Sequence, residues 1–200
     1  MQKQEKSPEV VQVKKYQCLL ADPPWRHMQL GAFGAVKHYQ LLSTEQIKAM
    51  PVADLMEDNS HCYLWCTNST MRDAYEVMEA WGFTPRSVIC WVKMRLGLGV
   101  YFRNCTEHLL FGTRGKAPVL CKRQPNIITG PVLRHSEKPL EQYPMIRRMS
   151  PGAYLELFAR HREPGFDIWG LEAPDGSDIE IPGYPVPKPP VTLDKEKNQK

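Results

Sequence analysis

Short apolar runs alternate along this chain with stretches in which apolar residues return every three or four positions. The runs Gln17–Ala21, His61–Cys66, Ser87–Lys93, Glu107–Gly112, Tyr154–Phe158 and Phe166–Trp169 read as buried strands. Helical patterns lie between them. Ser43 to Met50 carries Ser43 and Gln46 at capping-box spacing and then meets Pro51. Thr70–Trp81 puts Ala74, Val77, Met78 and Trp81 on one face and stops at Gly82, a residue suited to a helix C-cap. Pro139–Met149 opens with proline in its first turn. This alternation predicts an α/β fold with a mostly parallel sheet and helices on both faces. In such sheets ligands bind beyond the carboxyl ends of the strands, so chemistry is expected in the loops that follow strands.

The pattern fails at both ends. Residues 1–15 are polar and charged and read as a flexible leader. The stretch 174–200 holds six of the 18 prolines and ends in LDKEKNQK, a composition unable to bury a core. The expected organisation is a leader, one domain over 16–173, and an extended or disordered tail over 174–200. A chain of 200 residues with 42% hydrophobic and 24% charged positions fits an ordinary soluble domain. No apolar run approaches the length of a membrane span, and the N-terminus lacks the apolar stretch of a secretory leader. A cytoplasmic protein without a membrane partner is expected. The six cysteines, Cys18, Cys62, Cys66, Cys90, Cys105 and Cys121, mostly sit in strand-like surroundings and read as small buried hydrophobes. Cys62 and Cys66 beside His61 have no second ligand pair at suitable spacing, so no metal is expected. The net charge of +4 is a modest bias toward polyanions.

The first strand runs directly into Asp22-Pro23-Pro24-Trp25. An acid, two rigid residues and an aromatic at the end of a strand suit work on an aromatic amine. The exocyclic nitrogen of adenine is a weak nucleophile because its lone pair is delocalised into the ring. A carboxylate and a backbone carbonyl can each accept one of its N–H groups, which favours a more tetrahedral nitrogen. Two prolines aim that carbonyl without later rearrangement. Trp25 offers a flat face for a base taken out of its stack. Positioning of this kind needs neither metal nor covalent intermediate.

Further blocks follow in order. Tyr39 precedes Gln-Leu-Leu-Ser43 on the loop 26–40, with Gly31 and Gly34 permitting movement. Trp91-Val-Lys93 leads into a loop with Arg95, Gly97, Gly99 and Arg103, then Glu107-His108. Ser136-Glu-Lys138-Pro139 opens the last helix, and Phe158-Ala159-Arg160-His161 ends a strand ahead of Gly170-Leu171-Glu172. With the tetrapeptide, these blocks resemble the MT-A seventy-kilodalton family of N(6)-adenine methyltransferases, over about residues 16–172. The resemblance implies a Rossmann-like fold that binds S-adenosylmethionine, yields S-adenosylhomocysteine, and has a permuted motif order, catalytic motif first and cofactor strand last.

It also implies roles. Asp22, Pro23, Pro24 and Trp25 are the catalytic set, and Tyr39, Glu107 and Ser136 lie at the target base. Lys138, Phe158, Arg160, His161, Leu171 and Glu172 form the cofactor site. Leu171 departs from the family, which often carries Asn there, so one polar contact is missing. Arg95, Arg103, Lys122, Arg123 and Arg134 are candidates for phosphate contacts, the second pair from the basic, turn-rich stretch 113–130. The chain's small size resembles bacterial or phage members, which implies DNA adenine as substrate, with RNA adenosine as the alternative. A homodimer, or a heterodimer with a related subunit, is the expected assembly. A non-catalytic nucleic-acid-binding subunit is the competing class. Degenerate relatives of that kind lose the acid or the aromatic of the tetrapeptide, and this chain keeps both.

Overall fold

The structure is a computed structural model that describes residues 14–26, 41–93, 96–97, 101–131 and 137–184. Its elements are, in chain order, β1 (Tyr16–Ala21), α1 (Thr44–Lys48), α2 (Val52–Leu55), β2 (Met56–Cys66), α3 (Met71–Ala80), β3 (Thr84–Lys93), β4 (Thr106–Arg114), β5 (Ile127–Gly130), α4 (Gln142–Met149), β6 (Tyr154–Leu157) and β7 (Phe166–Trp169). The strands form a seven-stranded sheet of order β5-β3-β4-β2-β1-β6-β7. The pairs β1–β2, β1–β6, β3–β5 and β6–β7 are parallel. The sheet is therefore mostly parallel, as the alternation predicts, with β4 reversed between β2 and β3. Among the described residues no helix separates β3 from β4, and the two strands pair antiparallel. β5 was not predicted, because four residues with two apolar ones carry no readable period; its pairing with β3 makes it a strand.

Alternation along the strands feeds two core layers. From β1, Leu19 and Ala21 point to the layer containing Ile47 of α1 and Ala74, Val77 and Met78 of α3. Cys18 and Leu20 point the other way, toward Tyr143, Met145 and Ile146 of α4. Helices thus cover both faces. The expected apolar face of 70–81 is fully buried, and the Trp81 indole N–H also donates to the Ile47 carbonyl at 2.9 Å. The Ser43–Gln46 capping box forms, but α1 ends at Lys48, and Pro51 begins α2 instead of merely closing α1. Gly82 follows α3 with φ +83°, the left-handed conformation glycine tolerates.

Among the described residues beyond 173 there is no helix or strand, yet they pack as far as Tyr184. The Asp178 backbone N–H donates to the Ile168 carbonyl, and the Asp178 carboxylate accepts from the Ile168 N–H, closing the outer edge of β7. Arg162 clamps this strap through both oxygens of Asp178 and the carbonyls of Pro174 and Gly176. Ile181 is buried in the first core layer, with Ile179 and Tyr184 packed beside it. Residues 174–184 are therefore docked on the domain through a series of turns and bends. Ile181→Ala is expected to lower unfolding free energy by about 2–4 kcal/mol in urea titrations. A loss below about 0.5 kcal/mol would mean that the strap does not contribute to the core.

Candidate active site

β1 lies where the chain path divides, with β2 on one side and β6 on the other, and its carboxyl end is the switch point at which such sheets bind ligands. Asp22 is the first residue past that end, its N–H directed at the Leu157 carbonyl of β6 (3.4 Å). The tetrapeptide is held from both sides. Trp25 N–H donates to the Pro23 carbonyl and Leu42 N–H to the Pro24 carbonyl, both at 2.9 Å, and Trp25 and Leu42 form a short parallel bridge. The Trp25 indole donates to the Trp65 carbonyl of β2 at 3.0 Å, and the ring packs partly on the first core layer.

Four charges of alternating sign cross the carboxyl edge of the sheet. Lys138 Nζ lies 2.7 Å from Asp22 and 3.5 Å from Glu107, and Lys93 pairs with the other oxygen of Glu107. Glu107 can join because β4 is reversed, which brings its first residues to the same edge as the last residues of β1 and β3. Two tryptophans back the cations: Lys138 sits 5.5 Å from the Trp65 ring and Lys93 4.7 Å from the Trp91 ring. The rings meet edge to face at 6.1 Å, and the Trp65 indole donates to the Gln142 side chain of α4. Burial opposes the Lys138 charge, but Asp22 and Glu107 outweigh it and raise its pKa above the ordinary lysine value. Burial likewise opposes the Glu107 charge, and Lys138 and Lys93 overturn it, holding the carboxyl below its ordinary value.

A cleft of about 410 Å³, open to solvent, continues from Asp22 toward β6. Lys138, Glu156, Phe158, Arg160 and His161 line it. Phe158 ends β6 with φ +63°, a left-handed turn that a phenylalanine rarely adopts. The turn lies hard against the end of β7: Ala159 N–H donates to the Trp169 carbonyl, and a Cβ at Gly170 would stand 2.8 Å from the Ala159 nitrogen. Only glycine fits there. Burial, together with the nearby Asp22 charge, pushes the Glu156 carboxyl up to about 8, although the Tyr143 hydroxyl donates to it at 3.0 Å. Near neutral pH this acid is mostly uncharged.

The charge row and the open cleft meet at the carboxyl end of β1, and the sequence as a whole decides the ancestry of this arrangement. The MT-A70 family model matches residues 16–172. The chain belongs to the MT-A70 family. It is 31% identical over 192 residues to the Type II methyltransferase M.MunI of a Mycoplasma species, covering 84% of this chain and 82% of that protein. It is 31% identical over 157 residues to the human N(6)-adenosine-methyltransferase catalytic subunit METTL3, covering 73% of this chain but 26% of METTL3. A plant relative from Medicago truncatula, a putative N(6)-adenosine-methyltransferase MT-A70-like protein, is 33% identical over 24% of its own length. The family read from the motifs is thus correct.

The structure brings together Asp22, Glu107, Lys138, Phe158, Arg160 and His161 of the residues singled out from sequence. Arg160 pairs with Glu172 at 2.8 Å on the rim, Glu172 being half exposed. Leu171 is exposed and does not line the cleft. Lys122 and Arg123 are separated from the site: they follow the carboxyl end of the reversed β4, at the opposite end of the sheet from Asp22. A basic, turn-rich composition carries no information about which end of a sheet a loop occupies. Arg103 is exposed on the β3–β4 loop, at the active-site end. Tyr39, Arg95, Arg134 and Ser136 lie outside the described residues. Sequence reading assigned no role to Lys93, Trp65 or Glu156. An acid within the apolar Leu155–Leu157 run was the available signal for Glu156.

Glu107, held low, contributes stability that is present above its unfolded pKa and lost as pH falls through its lower folded value. Lys138→Met removes one of its two cations, so the Glu107 pKa is expected to rise toward or past the ordinary value, observable as a carboxyl carbon titration by NMR. A Glu107 midpoint that stays where it was would show that Lys93 alone sets it.

Proposed function

We propose that this protein is an adenine methyltransferase that moves a methyl group from S-adenosylmethionine to the N(6) amine of adenine in DNA. The observation that carries the reading is Asp22 at the switch point, joined through Lys138 to Glu107 and opening directly into the β6 cleft. The cleft fits the cofactor's chemistry. Lys138 and Arg160 are cations for a carboxylate, Phe158 is a flat apolar surface for a purine, and Asp22 is an anion for a cationic group. Glu172 at the rim suits ribose hydroxyls. When bound, S-adenosylmethionine supplies an electrophilic methyl group.

The chain's residues prepare the acceptor. Asp22 and the carbonyl of Pro23 or Pro24 each accept one N–H of the amine, turning its lone pair toward the methyl group. Each of those carbonyls already holds one backbone N–H and keeps a second lone pair. The Asp22 carboxylate then takes the proton the amine gives up. Trp25, fixed by its indole bond to Trp65, offers its ring to the base, and Glu107 faces the base from the β4 side. Lys138 pairs with both acids, and together with Lys93 it holds the Glu107 carboxyl below its ordinary value before substrate arrives. DNA as substrate is supported by the likeness to the Type II methyltransferase over most of both chains, whereas the adenosine methyltransferases match over about a quarter of theirs. Tyr39 and Ser136 at the base, Arg95 and Arg134 at phosphates, and a homodimeric assembly belong to the same reading. Among the described residues no helix is long and apolar enough to cross a membrane.

Tritiated methyl transfer to duplex DNA, single-stranded DNA and RNA oligonucleotides tests the reading directly. Label is expected in DNA, and label only in RNA would overturn the substrate. Asp22→Ala is expected to slow transfer at least about a hundredfold, roughly 2.7 kcal/mol of barrier. A loss below about tenfold would remove Asp22 from the acceptor role.

A further inference from the structure

Among the described residues, the three most exposed large apolar side chains lie at the active-site end. Tyr101 is 94% exposed, Phe102 84% and Leu96 66%, all on the loop between β3 and β4. Single exposed apolar residues need no explanation, but two adjacent aromatics with almost their whole surface in water do. The described residues of that loop are tied to one another. Lys93 N–H donates to the Cys105 carbonyl at 2.7 Å and Gly97 N–H to the Asn104 carbonyl at 2.9 Å, which holds both against 104–105. A Cβ at Gly97 would collide with that Asn104 carbonyl, so this approach is open only to glycine. Arg103 Nε donates to the Gly97 carbonyl at 2.6 Å, and the Asn68 side chain, past the end of β2, donates to Asn104 at 3.2 Å. The base of the loop is the Lys93–Glu107 pair itself, part of the charge row that ends at Asp22.

We propose that Tyr101 and Phe102 are a base-stacking contact for the nucleic acid strand that carries the target adenine, with exposed Arg103 beside them at its phosphates. The proposal rests on the methyltransferase reading and extends it to how the strand is held. Every nucleobase has a π-face, so an aromatic pair grips a strand without reading sequence. A base leaving its stack also leaves a gap that an apolar side chain can fill. Residues 101–105 lead directly into β4 and Glu107, so a strand delivering its adenine to Asp22 passes the aromatic pair. Arg103 supplies the sign of charge that a phosphate backbone requires and that a purely apolar protein interface would lack.

The test uses full-length protein with single-stranded and duplex DNA oligonucleotides carrying one adenine, random flanks and 2-aminopurine next to that adenine. Tyr101→Ala/Phe102→Ala is expected to weaken binding by about tenfold or more at fixed salt. It should also abolish the protein-induced change in 2-aminopurine fluorescence, while leaving the slope of log affinity against log salt as in the wild type. Arg103→Gln should instead lower that slope by about one. Thermal melting and S-adenosylmethionine binding by calorimetry should be unchanged in both variants, since these side chains touch neither core nor cleft. Wild-type affinity and fluorescence in the double variant would overturn the proposal while the methyltransferase reading stands. A sedimenting dimer that dissociates in the double variant with DNA affinity intact would overturn it in favour of a second copy of the chain. A wild-type protein that neither binds nor methylates any oligonucleotide would overturn both readings.

Discussion

A single ammonium group between two carboxylates governs the architecture of this site. Asp22 and Glu107 come from strands that run in opposite directions, and without Lys138 their charges would face each other in a partly dehydrated cleft. Lys138 sits between the two carboxylates and offsets that repulsion. Lys93 does the same from the other side of Glu107. Two anions are matched by two cations, and Glu156 is kept mostly uncharged by burial, so the dry part of the site stays close to neutral. Breaking one link of such a row costs more than the row contributes, because it strands a buried charge.

That row exists only because of one topological exception. In a wholly parallel sheet the amino end of every strand lies away from the carboxyl edge. β4 is reversed, and its second residue therefore reaches the edge where Asp22 and Lys93 end their strands. The same reversal places the β3–β4 loop, with Arg103, at the active-site end and sends the 115–126 loop, with Lys122 and Arg123, to the far end. Two basic segments of similar composition thus have opposite positions for one reason.

The legibility of the sequence follows the same division. Six strands, three helical regions, the capping box and the buried face of α3 were readable because each is a local pattern, a period or a cap within a dozen residues. Asp22, Lys138, Phe158 and Arg160 were readable as motif positions at strand and helix boundaries. What escaped depends on pairing across the chain. β5 is a strand by its partner and not by its own period, and Lys93 matters through Glu107, fourteen residues away. The docking of 174–184 escaped because prolines and acids hide two isoleucines and one aspartate that seal an edge. Composition sees the polar majority, whereas packing is decided by the few apolar residues.

The turn after β6 shows how a chain can make room for a ligand without a glycine-rich loop. A glycine-rich turn lets backbone approach a ligand closely by carrying no side chain itself. Here the residue at the turn is Phe158, which takes the left-handed conformation despite its bulk. That costs of order 1 kcal/mol or more, and it persists only where the surroundings over-determine it. They do so from the next strand. Gly170 removes the Cβ that would strike Ala159, the Trp169 carbonyl fixes the Ala159 N–H, and the Trp169 ring meets Phe158 edge to face at 5.4 Å. The glycine has in effect moved from the turn to its neighbour, leaving an aromatic side chain in the cleft where a glycine-rich loop would have none. The outcome is a cleft wall that exchanges backbone freedom for a flat apolar surface, with the steric relief supplied one strand away.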